Sequence, residues 1–182
     1  CLKPVIGAIN GAAVGIGATM TLPMDVRLAA EGAKIGFVFG RLGIVPEACS
    51  SWFLPRLVGI SQALEWVYAA EPFDAAEAVR GGLVKAAVPA AQLLDEARRL
   101  AHRFVDHRSP LAVGLARQLI YRNVAQPHPI EAHRVDSLAM WHLSQGDGAE
   151  GVRAFLEKRQ PQFTAKVSRD LPDFVAQWMK AP

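Results

Sequence analysis

The chain has 182 residues, 51% of them hydrophobic and 20% charged, which excludes a disordered segment and predicts a globular unit with a substantial core. Its 20 basic and 17 acidic side chains leave a net charge of +3, too small for the dense basic surface of a nucleic-acid-binding protein. Two cysteines, Cys1 and Cys49, are too few for a disulfide-stabilised fold, so we expect a cytoplasmic protein.

An uncharged run of 21 residues separates Lys3 from Asp25 and is long enough to cross a bilayer as a helix. The turn dipeptide Asn10-Gly11 and the late Pro23 interrupt it, so a membrane span or signal peptide is the less favoured interpretation. The favoured one is a buried strand, a turn, a short helix and a second strand. We therefore expect no membrane association.

The first half of the chain alternates short β-branched runs with short helical ones, which is typical of an α/β layer. We predict strands at 5–9, 26–29, 34–36 and 83–88, and helices at 15–22, 50–57, 61–68 and 74–80. Ser61 and Asp74 are the expected N-caps, and Gly81-Gly82 is the expected end of the last helix.

The second half is helical, because apolar residues recur at helical spacing from Leu93 to Val105 with charged residues opposite. Ser109-Pro110 predicts an N-cap followed by proline at the first helical position. Further helices are expected to end near residues 123, 143, 158 and 179. We place the boundary between residues 1–89 and residues 90–182.

Several common motifs are missing. The segment GIGATM at residues 15–20 begins like a dinucleotide fingerprint but has Met20 where the third glycine belongs. No phosphate-binding loop, HExxH, CxxC or GxSxG occurs. We therefore expect no nicotinamide, no metal and no hydrolase triad with the usual local signature.

Two features remain as candidates for chemistry. The small residues from Asn10 to Gly17 leave backbone N–H groups uncovered at a helix start, which suits either a developing anion or only close strand–helix packing. Glu47 is the only acid between Glu31 and Glu65 and has apolar neighbours. An apolar environment disfavours a charged carboxylate and suits a general base, although a loop glutamate that caps the next helix fits equally well.

Three segments, in this order, resemble the crotonase (enoyl-CoA hydratase/isomerase) superfamily. They are KPVIGAINGAAVGIGATMTLPMDVRLA, KIGFVFGRLGIVP and GDGAEGVRAFLEKRQPQF. The resemblance implies an α/β fold with an incomplete crotonase-like spiral β/α core in residues 1–89. It implies a helical trimerisation region in residues 90–182, with self-association as a trimer or a dimer of trimers.

The resemblance also implies an acyl-CoA thioester substrate, whose enolate oxygen is held by two backbone N–H groups. One donor falls on Ile16, beside Gly15; the other belongs to an upstream stretch that family members carry before this segment. Coenzyme A is then part of the substrate, and no resident cofactor is expected. Because the upstream strands of the family are not in this sequence, we expect either an inactive chain or the downstream part of a longer or interrupted protein.

The position of the carboxylates separates the reactions of the superfamily. Hydratases of the superfamily resemble one another in having two glutamates that handle the water. The matching positions here hold Thr19 and Phe39, neither of which is a carboxylate base. The run PEACSSWFLP instead resembles the Δ3,Δ2-enoyl-CoA isomerase branch, whose single glutamate falls on Glu47. Phe39, Trp52 and Phe53 would then line the acyl slot, although core packing is the favoured role for at least one of them. Thr19 is a further expected substrate-binding residue.

The resemblance places Phe163 and Lys166 where a neighbouring subunit approaches coenzyme A. The resulting hypothesis is an isomerase of fatty-acid metabolism that uses Glu47 as a proton shuttle. A hydratase and a truncated non-catalytic remnant stay open as alternatives.

Overall fold

The structure is a computed structural model that describes residues 1–180. The chain divides into two compact units, one formed by Val5–Ala101 and the other by Cys1–Pro4 together with His102–Pro182. The predicted boundary after residue 89 separates the β/α core from the helical region. This boundary stays a prediction.

The unit Val5–Ala101 contains two small sheets. Their strands are β1 (Ile6–Ile9), β2 (Ala13–Val14), β3 (Val26–Ala30), β4 (Lys34–Gly36), β5 (Phe73–Asp74) and β6 (Ala86–Val88). One sheet has the order β1-β3-β6 with parallel pairs throughout. The other has the order β2-β4-β5, in which β4 pairs parallel with β2 and antiparallel with β5. Parallel strands joined through helices confirm the predicted α/β class.

Helices lie between these strands and after β6, and the last of them extends beyond Ala101. They are α1 (Ile16–Thr19), α2 (Ser50–Val58), α3 (Ile60–Ala69), α4 (Ala75–Arg80) and α5 (Leu93–Val105), with 3-10 helices at Val38–Leu42 and Ala90–Gln92. The predicted helix at 15–22 is wrong in its length. After α1 the N–H groups of Thr21 and Leu22 bond to carbonyls three residues back, which turns the chain before Pro23.

The predicted helix caps have different outcomes. Asp74 is the N-cap of α4, and its Oδ1 accepts the Glu77 N–H at 2.8 Å. Ser61 is not a cap, because Gly59, at φ +80°, turns the chain directly from α2 into α3. A positive φ of this kind favours glycine, so the chain reverses two residues earlier than predicted.

An aromatic cluster and a buried charge stabilise this unit. The Trp66 ring stacks on Phe73 with centroids 4.3 Å apart, and Phe37 lies 6.3 Å from each of them. Arg27, on β3, is buried, with its Nε 2.7 Å from the Leu83 carbonyl and its Nη1 2.6 Å from the Met24 carbonyl. Backbone carbonyls thus satisfy a cation in a strand whose other residues are apolar.

The second unit is helical. Its helices are α6 (Pro110–Asn123), α7 (Pro129–Ser144), α8 (Asp147–Leu156) and α9 (Asp173–Lys180). Ser109 caps α6 as predicted, since its hydroxyl accepts the Ala112 N–H at 3.1 Å. Leu111, Leu115 and Val175 form a buried core. Helix α6 also holds the start of the chain, because Gln118 Nε2 donates to the Cys1 carbonyl at 2.7 Å.

The uncharged run at residues 4–24 folds into β1, β2, α1 and the turns between them. Among the described residues, 1–180, no helix has both the length and the apolar character needed to cross a membrane.

Candidate active site

A glycine-rich corner lies where β2 and β4 end side by side. Val14 stands opposite Gly36 in the parallel ladder, and the Gly15 N–H donates to the Gly36 carbonyl at 2.9 Å. Gly15 then takes φ +59° and ψ −122°, a conformation that is open to glycine and strained for other residues. The strand therefore turns directly into α1.

Ile16 is the first residue of α1. The opening N–H groups of a helix have no acceptor within the helix, so the Ile16 N–H can donate to a substrate atom. The Ile16 side chain is 59% exposed, and the corner is thus open to solvent on this side. The structure places this group as the sequence predicts, and its role as an oxyanion donor stays a prediction.

Glu47 lies in an irregular segment between the 3-10 helix and α2. The two residues after it, Ala48 and Cys49, take the left-handed conformation at φ +52° and +57°. Such a conformation costs about 1–2 kcal/mol for a residue with a Cβ. The Glu47 carbonyl accepts both the N–H and the hydroxyl of Ser50, at 3.0 and 2.6 Å. These two bonds anchor the segment to the first turn of α2.

The Glu47 side chain is turned toward the glycine-rich corner. Its Oε1 lies 2.6 Å from the hydroxyl oxygen of Thr19, the last residue of α1. The alternative in which this carboxylate caps α2 is therefore wrong, since Cys49 is the N-cap and makes no side-chain cap bond. The structure brings together Glu47, Thr19 and the Ile16 turn.

The surroundings of Glu47 differ from the apolar slot that its sequence neighbours predict. Glu47 is exposed, and so are Ile44, at 55%, and Val45, at 79%. An irregular segment buries its apolar side chains only where another element packs on them, and the described residues leave these side chains uncovered. The expectation of a buried carboxylate is therefore wrong for the chain as it stands.

The three aromatic residues predicted to line the acyl slot, Phe39, Trp52 and Phe53, have different environments. Phe39 is buried, within the 3-10 helix. Trp52 is half-buried on α2, and its ring is covered on one face by the Arg56 guanidinium, 3.9 Å from the ring centroid. Phe53 meets the same ring edge-on at 4.8 Å. Contact of any of the three residues with substrate stays a prediction.

Phe163 and Lys166 belong to the other compact unit, whereas Glu47 belongs to Val5–Ala101. The residues predicted for one site are thus divided between the two units. Phe163 is half-buried and packs above Gly151, where an added Cβ would be 3.6 Å from its ring. Lys166 is exposed, and its backbone N–H donates to Asp170 Oδ2 at 2.8 Å. Their predicted approach to coenzyme A in a neighbouring subunit stays a prediction.

Sequence reasoning missed two contacts at this site. The Thr19–Glu47 bond joins residues 28 positions apart, and no local pattern indicates it. The Arg56–Trp52 contact had a signal, because residues four apart share a helix face. The sequence prediction assigns Trp52 to the acyl slot and does not include its contact with Arg56.

Comparison with known proteins identifies the family. The sequence family described as enoyl-CoA hydratase/isomerase matches residues 1–166. The enoyl-CoA hydratase ACTT3 of Alternaria alternata is 45% identical over 165 residues, covering 90% of this chain and 55% of that protein. The chain belongs to the enoyl-CoA hydratase/isomerase family. This family member therefore has the crotonase fold. It spans about half the length of the Alternaria relative.

Two further relatives illustrate the range of the family. The 1,2-epoxyphenylacetyl-CoA isomerase of Escherichia coli is 36% identical and covers 90% of this family member, which spans 62% of that enzyme. The crystal structure of an enoyl-CoA hydratase from Bacillus anthracis superposes with a TM-score of 0.84 at 34% identity, covering 91% of this chain and 64% of that one. Both hydratases and isomerases thus occur among its relatives.

Proposed function

We propose that the protein is an acyl-CoA enzyme of fatty-acid metabolism that shifts a double bond, as an enoyl-CoA isomerase does. The observation that carries the proposal is the 2.6 Å hydrogen bond from the Thr19 hydroxyl to Glu47 Oε1. It holds the carboxylate toward the corner whose Ile16 N–H would donate to the thioester oxygen. One base and one oxyanion donor on the same corner suit enolate chemistry.

The proposed reaction uses Glu47 twice. Its carboxylate takes a proton from C2 of a 3-enoyl-CoA, and the C–H electron pair passes into an enolate whose oxygen accepts the Ile16 N–H. The enolate then forms a C2–C3 double bond as the same carboxyl group returns the proton to C4. Coenzyme A belongs to the substrate, and no resident cofactor takes part. Thr19 and Phe39 supply no second carboxylate to activate water.

The test replaces Glu47→Gln and follows both isomerisation of a 3-enoyl-CoA and hydration of a 2-enoyl-CoA. Loss of a general base costs about 10²–10⁴-fold, so kcat for isomerisation should fall by that factor. Glu31→Gln is the matched control, because Glu31 is an exposed glutamate in the turn between β3 and β4. Isomerisation by Glu47→Gln at the wild-type rate would reject the proposal.

Hydratase activity is the second candidate, because the relative with 45% identity carries that name. A hydratase needs a group that positions water, and Glu47 is a carboxylate that bonds to Thr19 at this corner. Hydration that falls with isomerisation in Glu47→Gln would assign both reactions to one base. Hydration undiminished in that variant would instead show that water addition does not depend on Glu47, and the protein would then be a hydratase with another base.

A non-catalytic member of the family is the third candidate. Calorimetric titration with coenzyme A separates this alternative from the other two. A catalytic protein should bind coenzyme A with measurable heat, whereas a non-catalytic member without a complete pocket should not.

We also propose self-association through the helical unit, as a trimer or a dimer of trimers. On α7 and α8 the side chains of Trp141 and Phe155 are 66% and 81% exposed. Large exposed aromatic residues are typical of protein interfaces. Sedimentation equilibrium gives the mass: a trimer or hexamer is expected, and Phe155→Ser should weaken it. A monomer at all concentrations would contradict this assignment.

A further inference from the structure

Thr19 bonds to the proposed base, but it has no assigned part in the proton transfer itself. The side chain is fully buried at 0% exposure, and a hydroxyl in such a position requires a hydrogen-bond partner. Its oxygen lies 2.6 Å from Glu47 Oε1 and 3.4 Å from the Ile16 carbonyl oxygen. Both neighbours belong to the candidate site, so the buried hydroxyl links the base to the oxyanion corner.

The hydroxyl hydrogen goes to the carboxylate. A threonine has one O–H hydrogen to donate, and 2.6 Å is typical of a bond from a hydroxyl to a charged oxygen, whereas 3.4 Å is long. The Ile16 carbonyl is already satisfied, since it accepts the Met20 N–H at 2.9 Å. Glu47 Oε1 therefore has its hydrogen-bond donor in the resting protein.

The position of Thr19 in α1 gives this bond its direction. Side chains in a helix lean toward its N-terminus, so a residue at the fourth position lies over the turn that begins at Ile16. A β-branched side chain has few rotamers, which limits where the hydroxyl can point. Glu47, by contrast, is exposed and otherwise free to adopt many rotamers.

We propose that Thr19 is a positioning residue, which holds Glu47 through Oε1 so that Oε2 takes the substrate proton. This inference rests on the proposed isomerase function. In the step itself the C2–H bond breaks, an O–H bond forms at Oε2, and the electron pair enters the enolate; that proton then passes from Oε2 to C4. The Thr19 proton does not move. Thr19 thus acts through Glu47 and not on the substrate.

Thr19→Val tests the proposal in the full protein, because valine keeps the shape of the side chain and replaces the hydroxyl with a methyl group. We expect kcat for a 3-enoyl-CoA to fall about 10–100-fold, as a misplaced catalytic group does, with KM changed less than twofold. Thr19→Ser keeps the hydroxyl and should restore kcat to within about threefold of the wild type.

Thr21→Val is the matched control. Thr21 is a second buried threonine next to α1, and its hydroxyl donates to the Ala18 carbonyl at 2.8 Å without reaching Glu47. Its kcat should stay within about twofold of the wild type, as expected for a change away from the reacting groups. Thr19→Ala, which cannot crowd its surroundings, repeats the test if the valine variant unfolds at a lower temperature.

A double variant distinguishes positioning from a general loss of structure. If Thr19 acts through Glu47, adding Thr19→Val to Glu47→Gln lowers the rate no further. Wild-type kcat in Thr19→Val and Thr19→Ala overturns the inference, and so does a further loss in the double variant or a serine variant as slow as valine. Glu47→Gln with full isomerase activity instead rejects the proposed function itself, whatever Thr19 does.

Discussion

Gly15 shows how a single residue shapes the corner at which Glu47 and Ile16 meet. An added Cβ at this position would meet nothing within 4 Å, so space does not require glycine there. The requirement comes from φ +59°, which lies outside the range that residues with a Cβ adopt readily. The helix start thus depends on backbone freedom rather than on packing.

Gly15→Ala should therefore destabilise the protein without any steric clash. Residues held in such regions cost about 1–3 kcal/mol, so we expect a loss of that size in the free energy of unfolding. Gly17→Ala is the control, because Gly17 also has open space around it and shows no positive φ. Within α1 it should be neutral or stabilising by up to about 1 kcal/mol. Equal losses in urea denaturation of both variants would contradict this explanation.

At the scale of elements, the aromatic cluster depends on a close approach by α4. Gly81 ends α4 directly beside Trp66 of α3. An added Cβ there would lie 2.4 Å from both Cζ2 and Cη2 of that ring, far inside contact distance. The Trp66 ring cannot simply swing aside, because it is stacked on Phe73 at 4.3 Å.

Gly81→Ala should accordingly destabilise the unit Val5–Ala101 by about 1–3 kcal/mol, as overpacking of a core does. Gly32→Ala is the control for the change of residue type, because a Cβ added at Gly32 would meet no atom within 4 Å. Combining Gly81→Ala with Trp66→Phe removes the clashing ring atoms. The double variant should therefore lose less free energy of unfolding than the two single variants lose together. An additive loss in thermal unfolding would show that the ring contact is not the cause.

The sequence predicts most elements of this unit because their patterns are local. β4 is found at its predicted bounds, and α2, α3 and α4 lie within one or two residues of theirs. β2 and β5 were missed, since two-residue strands are defined by pairing with β4 and not by their own composition. Arg27 lies in the strand predicted at 26–29, but its burial could not be predicted, because a charged side chain is buried only where partners such as backbone carbonyls surround it.

At the scale of the whole molecule, the sequence predicts which residues form the candidate site. It does not predict how exposed these residues are or which contacts they make. The motifs point to Ile16 and Glu47 individually, and the structure places both at one corner. Exposure of Glu47 could not be predicted, because the apolar character of Ile44 and Val45 says nothing about whether another element covers them. The Thr19 bond depends on long-range folding, which brings α1 beside residues 43–49.

The hydrogen bonds of one carboxylate in the helical unit predict a pH dependence of its stability. Glu150 on α8 accepts hydrogen bonds from Arg159 Nη1 and Nη2, at 2.6 and 3.0 Å, and from the Gln162 N–H at 2.9 Å. These donors favour the charged form and lower the pKa of Glu150 from 4.5 to about 2, with the Arg159 hydrogen bonds as the largest cause. The carboxylate thus ties α8 to the segment that follows it.

Because this pKa is lower in the folded state, the stabilisation by Glu150 is complete above pH 4.5 and is lost as the pH falls toward 2. Glu150→Gln should therefore lower the unfolding temperature at pH 7, and the difference from the wild type should shrink below pH 4.5 and nearly vanish at pH 2. Glu131→Gln, which breaks an exposed pair with Arg134 within α7, is the control and should have a smaller effect at pH 7. A Glu150→Gln difference that stays constant or grows on acidification would mean that the Arg159 pair does not stabilise the folded unit.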